Sequence, residues 1–186
     1  LNFKYFKEMD DEKYASHFET LIHEVHHILG INPTIFPFFR VPESDNLVRP
    51  VSETYIKIQP SQFYGKHLGI ILPGFIELAK KYFKCREIEY VPLEDEGGPI
   101  SQGSHFEKVW FGNEMMIADD YWSLKLSVFT MKFLEETGWY KPVYNRRERL
   151  TYLYGEGCSI REGNCKKNSR SCDKSIKGSI CSYDYT

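Results

Sequence analysis

The chain has 186 residues, of which 41% are hydrophobic and 27% are charged, a composition typical of a globular chain that can build a core. The formal net charge is -2, which excludes the strongly basic surface of a typical nucleic-acid-binding protein. No apolar run approaches the roughly 18 residues of a membrane span, and no signal peptide is recognisable. The chain starts at Leu1 with strand-like alternation, so we interpret it as a piece of a longer protein.

The first predicted elements are a strand over residues 1–6 and a long amphipathic helix from Asp11 to Leu29. Asp10 and Asp11 offer an N-cap and an acidic first turn. Gly30 follows the last apolar residue, and we expect it to end the helix in a left-handed C-cap. The apolar positions that predict the helix are Tyr14, Phe18, Leu21, Ile22, Val25, Ile28 and Leu29.

Residues 31–101 contain most of the prolines and alternate short strand-like runs with turns. The run from Tyr55 to Ile58 predicts a strand, and residues 74–84 predict a helix. The acidic residues 94–96, followed by two glycines, predict an exposed loop. We interpret the whole region as an insertion packed on the core.

A second strong helix is predicted over residues 122–137, with Gly138 as its cap. Aromatic residues make up 16% of the chain, and a packed core is the expected use of most of them. We therefore expect the three tryptophans to lie in the core. They are Trp110, Trp122 and Trp139.

The five cysteines divide into Cys85, which stands alone, and four that fall within residues 155–186. This tail is poor in apolar residues, so disulfides are expected to hold it, which implies an oxidising compartment. The alternative is a structural zinc site, although the spacing lacks the close Cys-x-x-Cys pairs typical of one. The pairing cannot be read from the sequence, and the odd count leaves one cysteine over. The four clustered cysteines are Cys158, Cys165, Cys172 and Cys181.

The segment from His23 to Gly30 has the form His-Glu-x-x-His-x-x-Gly and lies at the end of the predicted long helix. Residues four apart on a helix share a face, so His23 and His27 can direct two imidazoles at one metal ion. Glu24 adjoins the first histidine and can reach a water molecule on that metal. The motif therefore predicts two ligands and a base of a catalytic zinc site, which needs a third protein ligand.

His17 and His26 point away from that site by helix geometry, and we expect both in solvent or on a neighbouring surface. His67 lacks a supporting pattern, whereas His105 lies in Gly-Ser-His-Phe-Glu, upstream of a Glu-Met-Met sequence. A glutamate ligand is the alternative. Its candidates are Glu43 and Glu53; Glu107 and Glu114 are expected to be surface or loop-bonding carboxylates.

These motifs resemble the leishmanolysin family, a branch of the metzincin zinc endopeptidases. In that family, as in this chain, a long insertion separates the helix glycine from the third histidine. Order and spacing match over nearly the whole chain, and least over residues 31–101. The matching segments are His23–Gly30, Gly103–Glu107, Glu114–Met116, Phe133–Tyr140 and Gly155–Cys158.

The resemblance implies that His23, His27 and His105 bind one Zn²⁺ per chain. It implies that Glu24 is the general base that activates the zinc-bound water for peptide-bond hydrolysis and then protonates the leaving amine. Met116 would be the methionine of the turn beneath the metal, and Gly30 would let the chain turn away beneath the helix.

The resemblance also implies an α+β, metzincin-like fold whose sheet lies mostly upstream of this chain. Its substrates would be proteins or peptides, and the full-length protein would be extracellular, cell-surface or membrane-associated. The alternative is a non-catalytic cell-surface or adhesion module on a peptidase scaffold. The expected parts are residues 1–30 with the strand and active-site helix, 31–101 as the insertion, 102–154 with the third ligand, Met-turn and C-terminal helix, and 155–186 as the start of the Cys-rich region.

Overall fold

The computed structural model describes residues 11–45, 47–60, 66–95, 98, 101–119 and 124–162, without the side chains of 11–13 and 162. The predicted strand over residues 1–6 lies outside the described residues. The same holds for the capping side chains of Asp10 and Asp11, for Trp122, and for the last three cysteines.

Helix α1 runs from Asp11 to Leu29, as the apolar spacing predicts. Its apolar positions divide between two environments, which periodicity alone could not separate. Ile22 packs against the core, whereas Tyr14, Phe18 and Ile28 are 58%, 52% and 80% exposed. These exposed side chains face away from the part of the core that the structure describes.

Gly30 ends α1 for a different reason from the one expected. Its backbone is not left-handed, so the predicted left-handed C-cap is wrong. The N–H groups of Gly30 and Ile31 both donate to the carbonyl of His26, each at 3.1 Å. A Cβ at position 30 would lie 3.0 Å from Thr137 Cγ2 and 3.2 Å from Leu134 Cδ2. Glycine therefore allows the end of α1 to approach these two side chains closely.

A small antiparallel sheet follows, with strand order β1-β2-β3. Strand β1 is Tyr55–Ile58, as predicted, β2 is His67–Ile70 and β3 is Val91–Pro92. Tyr55 pairs with Ile70 across the first ladder, and Gly69 pairs with Pro92 across the second. The chain returns to this sheet later, because Leu93 forms an antiparallel bridge with Phe106.

Three further α-helices complete the described fold: α2 is Pro73–Phe83, α3 is Lys108–Phe111 and α4 is Val128–Glu136. Helix α2 matches its prediction closely and packs on α4. Short 3-10 helices occupy Phe36–Phe38, Val51–Glu53, Tyr144–Arg146 and Gly157–Glu162. The described residues thus combine helices with a small antiparallel sheet, and the α+β class is confirmed.

Helix α4 is shorter than predicted, because Ser127 caps it. The Oγ atom of Ser127 accepts a hydrogen bond from Phe129 N, which satisfies a free N–H of the first turn. The chain just before Ser127 is extended, and Lys125 forms a parallel bridge with Glu114. At the other end Gly138 has φ +75°, which agrees with its predicted role as a cap.

The core is aromatic, as the composition predicts. Trp110 is 3% exposed and lies inside it, whereas Trp139 is 37% exposed, so the expectation that it would be a core residue is wrong. The indole of Trp139 instead lies edge-on to the ring of Phe39, with centroids 5.4 Å apart. The fully buried rings are Phe36, Phe39, Phe75, Phe83, Phe106, Phe111, Phe129 and Phe133.

Within the described residues, a disulfide joins Cys85 to Cys158 across 73 positions of the chain. Cys85 therefore does not stand alone, because the fold carries the end of α2 to the 3-10 helix that begins at Gly157. The acidic loop also differs from expectation: Glu94 and Asp95 are half-buried instead of fully exposed. Among the described helices, none has the length and apolar content to cross a membrane.

Candidate metal centre

Three imidazoles meet at the end of α1. His23 and His27 lie one turn apart on the helix, and their Nε2 atoms are 3.0 Å apart. The Nε2 atom of His105, in the loop between β3 and α3, lies 3.1 Å from that of His23. These are the three histidines that the sequence singles out as metal ligands, and the fold brings them together across 82 positions.

The backbone holds His105 at this place. Glu94 follows β3, and its N–H donates to the carbonyl of His105 at 2.9 Å. The next residue, Phe106, donates its N–H to the carbonyl of Met116 at 2.8 Å. The segment that carries His105 thus lies between the sheet and the Glu-Met-Met segment.

Each imidazole is oriented by a main-chain carbonyl through its other nitrogen. A carbonyl oxygen can only accept, so each Nδ1 atom must carry the proton and donate it. Each neutral ring then presents an unprotonated Nε2 lone pair. The Nδ1 atoms of His23, His27 and His105 lie 2.7, 2.8 and 2.9 Å from the carbonyl oxygens of Met115, Ile31 and Ser101, respectively.

This donor set fits a metal ion. Close contacts between unprotonated Nε2 atoms are repulsive, and a shared cation converts them into an attractive arrangement. Tetrahedral zinc with Zn–N bonds of about 2.0–2.1 Å places its ligand nitrogens roughly 3.3 Å apart, close to the observed 3.0 and 3.1 Å. Burial, together with the positive charge that His27 or His23 would carry, lowers the pKa of His105 to about 4, although the hydrogen bond to the Ser101 carbonyl acts in the opposite direction. The ring is therefore neutral near pH 7.

The other histidines and glutamates that the sequence offers as possible metal ligands do not belong to this cluster. Among the described residues, no carboxylate joins the three histidines within ligand distance, so Glu43 and Glu53 are not part of the group. His17 is exposed, as expected, and His67 is buried in β2.

Glu24 and His26 lie between the two helix histidines and differ in their surroundings. Glu24 is exposed next to His23. His26 is only 7% exposed, so the first of its two expected positions, in solvent, is wrong. Its Nδ1 donates to the carbonyl of Ile22 at 2.7 Å, and burial lowers its pKa. The ring belongs to the face of α1 that packs inward.

The Glu-Met-Met segment lies directly against the histidine cluster. Met116 is fully buried and Met115 is 3% exposed, and the Met115 carbonyl orients His23. Glu114 is also fully buried. It bonds to loop and helix groups, as expected, but it is not a surface residue.

Glu107 and Glu114 use their carboxylates in different ways. Glu107 caps α3 by accepting from Val109 N at 3.2 Å. Burial raises the pKa of Glu114, while hydrogen bonds from Thr130, Met116 and Ser127 act in the opposite direction. The loop-bonding role of Glu114 agrees with expectation, but its link to the start of α4 through Ser127 and Thr130 does not follow from the sequence.

Fold and site together define an α+β protein with three histidines that could hold a metal ion. The chain belongs to the leishmanolysin family, whose sequence model, peptidase family M8, matches residues 3–184. This finding confirms the resemblance drawn from the motifs.

Relatives from animals and protozoa show the same relationship. A leishmanolysin-like peptidase of Drosophila melanogaster is 27% identical, over 79% of this chain and 25% of that protein. A leishmanolysin-like peptidase of Caenorhabditis elegans is 26% identical, over 78% of this chain and 26% of that protein. Leishmanolysin of Leishmania donovani is 26% identical, over 83% of this chain and 25% of that protein. The chain thus spans about a quarter of the length of the curated relatives it matches.

Proposed function

We propose that the protein is a zinc-dependent metalloendopeptidase of the leishmanolysin type, with His23, His27 and His105 as the ligands of one Zn²⁺ per chain. The observation that carries this proposal is the convergence of three Nε2 atoms whose rings are each held through Nδ1 by a main-chain carbonyl. Neutral imidazole is a preferred zinc ligand, and three protein ligands with an open position are typical of catalytic zinc.

Bound zinc supplies a Lewis acid that polarises the scissile carbonyl and makes water acidic enough to attack near neutral pH. Glu24 accepts the proton of the attacking water and delivers it to the leaving amine. Its exposure on α1 beside His23 leaves its carboxylate accessible to substrate. Met116 is fully buried and would be the methionine of the turn beneath the metal. Gly30 allows the end of α1 to approach Leu134 of α4 and Thr137 closely.

The base is tested by Glu24→Gln in the full-length protein, with Glu19→Gln on the same helix as the matched control. General-base catalysis contributes about 10²- to 10⁴-fold, so we expect peptide cleavage to fall by at least that lower factor. Zinc content, measured by elemental analysis, should stay at one per chain in both variants. Undiminished cleavage by zinc-loaded Glu24→Gln would refute the role of Glu24.

The third ligand is tested by His105→Ala, with His17→Ala as the control on an exposed histidine. We expect His105→Ala to lose zinc on dialysis and His17→Ala to retain it. If His105→Ala keeps its zinc, a different third ligand, such as Glu43 or Glu53, must be sought. Full zinc content in the wild type with no turnover of any protein substrate would instead favour the non-catalytic adhesion module.

The proposal extends to the setting of the enzyme. Its substrates would be proteins or peptides in an extracellular or cell-surface location. The disulfide between Cys85 and Cys158 is consistent with such an oxidising setting. Membrane association of the full-length protein and the division at residues 30, 101 and 154 stay predictions.

A further inference from the structure

Glu114 is a fully buried carboxylate that lies outside the histidine cluster. Its Oε1 accepts hydrogen bonds from Ser127 Oγ at 2.9 Å and Thr130 Oγ1 at 2.6 Å. Its Oε2 accepts from the N–H of Met116 at 2.6 Å. The side chain therefore joins its own loop to the first turn of α4, where the helix dipole also favours a negative charge.

The loop that Glu114 holds contacts two of the three histidine positions. The Met115 carbonyl accepts the Nδ1 proton of His23. The Met116 carbonyl accepts from Phe106 N, directly after His105. A shift of this short segment would therefore move the orienting group of one ligand and the backbone support of another.

We propose that Glu114 is a positioning residue of the metal centre, which sets the Met115 and Met116 carbonyls by tying their loop to α4. This inference rests on the proposed function, because it assigns Glu114 a task at the proposed zinc site. Glu114 acts through the backbone and touches neither the metal nor substrate.

The chemistry of the cluster calls for a carboxylate. Met116 N–H, the Ser127 hydroxyl and the Thr130 hydroxyl all donate, and an ionised carboxylate offers only acceptors. Glutamine has the same shape but turns one acceptor into an NH₂ donor. With its amide oxygen on Met116 N–H, Glu114→Gln would present this NH₂ group to the two hydroxyls, which would have to turn from donors into acceptors. The change would replace charge-assisted hydrogen bonds by weaker neutral ones and so loosen the tie between the loop and α4.

The test compares the full-length wild type with Glu114→Gln and with Thr130→Val, which removes one donor and preserves shape. Ile88→Ala, at a buried position between α2 and β3, is the control for a general loss of stability. Zinc affinity is measured by chelator competition, and ligand geometry by the visible spectrum of the cobalt-substituted protein. Hydrogen exchange at the Met116 and Phe106 amides is measured without metal.

We expect Glu114→Gln to weaken zinc binding by about 10- to 100-fold, the range found for groups that orient metal ligands. Its cobalt spectrum should change, and the two amides should exchange faster than in Ile88→Ala. Thr130→Val should show smaller changes in the same direction, and it carries the test if Glu114→Gln does not fold.

Wild-type zinc affinity, spectrum and exchange in both Glu114→Gln and Thr130→Val would overturn the inference, even if both lose stability. Failure of the wild type to bind zinc would refute the proposed function instead. Amide exchange would then still decide whether Glu114 holds the loop that contacts His23 and precedes α4.

Discussion

Gly30 follows the His-Glu-x-x-His motif, and Gly30→Ala combined with Thr137→Ser separates two explanations for a glycine at this position. The backbone at position 30 is not left-handed, so alanine brings no dihedral strain there. Its Cβ would instead lie 3.0 Å from Thr137 Cγ2 and 3.2 Å from Leu134 Cδ2. Carbon atoms prefer separations of about 3.5–4.0 Å, so the two helices must move apart or their side chains must shift.

The expected magnitude combines two opposing effects. Extra volume in a packed site costs about 1–3 kcal/mol, whereas replacing glycine restricts the unfolded chain and stabilises by about 0.4–1 kcal/mol. We therefore expect Gly30→Ala to lower the free energy of unfolding by about 0.5–2 kcal/mol. If position 30 required a left-handed backbone, alanine there would also cost about 1–2 kcal/mol. Gly30→Ala alone therefore does not distinguish close packing from a left-handed conformation.

Thr137→Ser makes the distinction, because it removes the nearer methyl group and keeps the hydroxyl. That hydroxyl donates to the Leu134 carbonyl at 2.6 Å and accepts from Trp139 N at 3.1 Å. If crowding is the cause, Gly30→Ala should cost about 1 kcal/mol less when Thr137 is replaced by serine.

The assay is urea denaturation of the four proteins of this double-mutant cycle with metal removed. Gly155→Ala is a strain-only control: its φ is +78° and the nearest atom, Lys84 Cε, is 3.5 Å from the added Cβ. Its cost should not change with Thr137→Ser. An equal cost of Gly30→Ala with and without Thr137→Ser would refute the close-packing explanation.

Two further predictions test the parts of the fold that support the site. The double mutation Cys85→Ser and Cys158→Ser should lower the free energy of unfolding by up to about 4 kcal/mol, because the disulfide closes a 73-residue loop. If a reductant left the melting temperature of the wild type unchanged, this prediction would be contradicted. Burial raises the pKa of Glu135, but hydrogen bonds from Lys132 and Tyr144 outweigh burial, so its net pKa is lowered. Its folded pKa is thus below the unfolded value, and its stabilisation is present above the unfolded pKa and lost as the pH falls through the folded pKa. Glu135→Gln should therefore cost about 0.5 kcal/mol at pH 7, with a smaller difference at pH 3 in metal-free urea denaturation; a difference that grows on acidification would refute the sign.

Several elements could be predicted from the sequence because local geometry determines them. The helix Asp11–Leu29 and the strand Tyr55–Ile58 follow from the repeat of apolar residues. The start of α4 could not be predicted in the same way. Leu126 has helical spacing with the later apolar residues, but it lies outside α4, because Ser127 caps the helix and α4 begins at Val128. Glu114, in a loop far away in the sequence, accepts a hydrogen bond from this Ser127 hydroxyl.

The sequence by itself determined that His23 and His27 share a helix face with Glu24 between them, because residues four apart on one helix have a fixed spatial relation. It also singled out His105 through its resemblance to a family. Only the tertiary structure decided that the three Nε2 atoms meet, and that main-chain carbonyls hold the rings. The same is true of the burial of His26 and of the Gly30 contact with Thr137. Each of these depends on packing between segments far apart in the chain, and residue spacing along the sequence does not specify that packing.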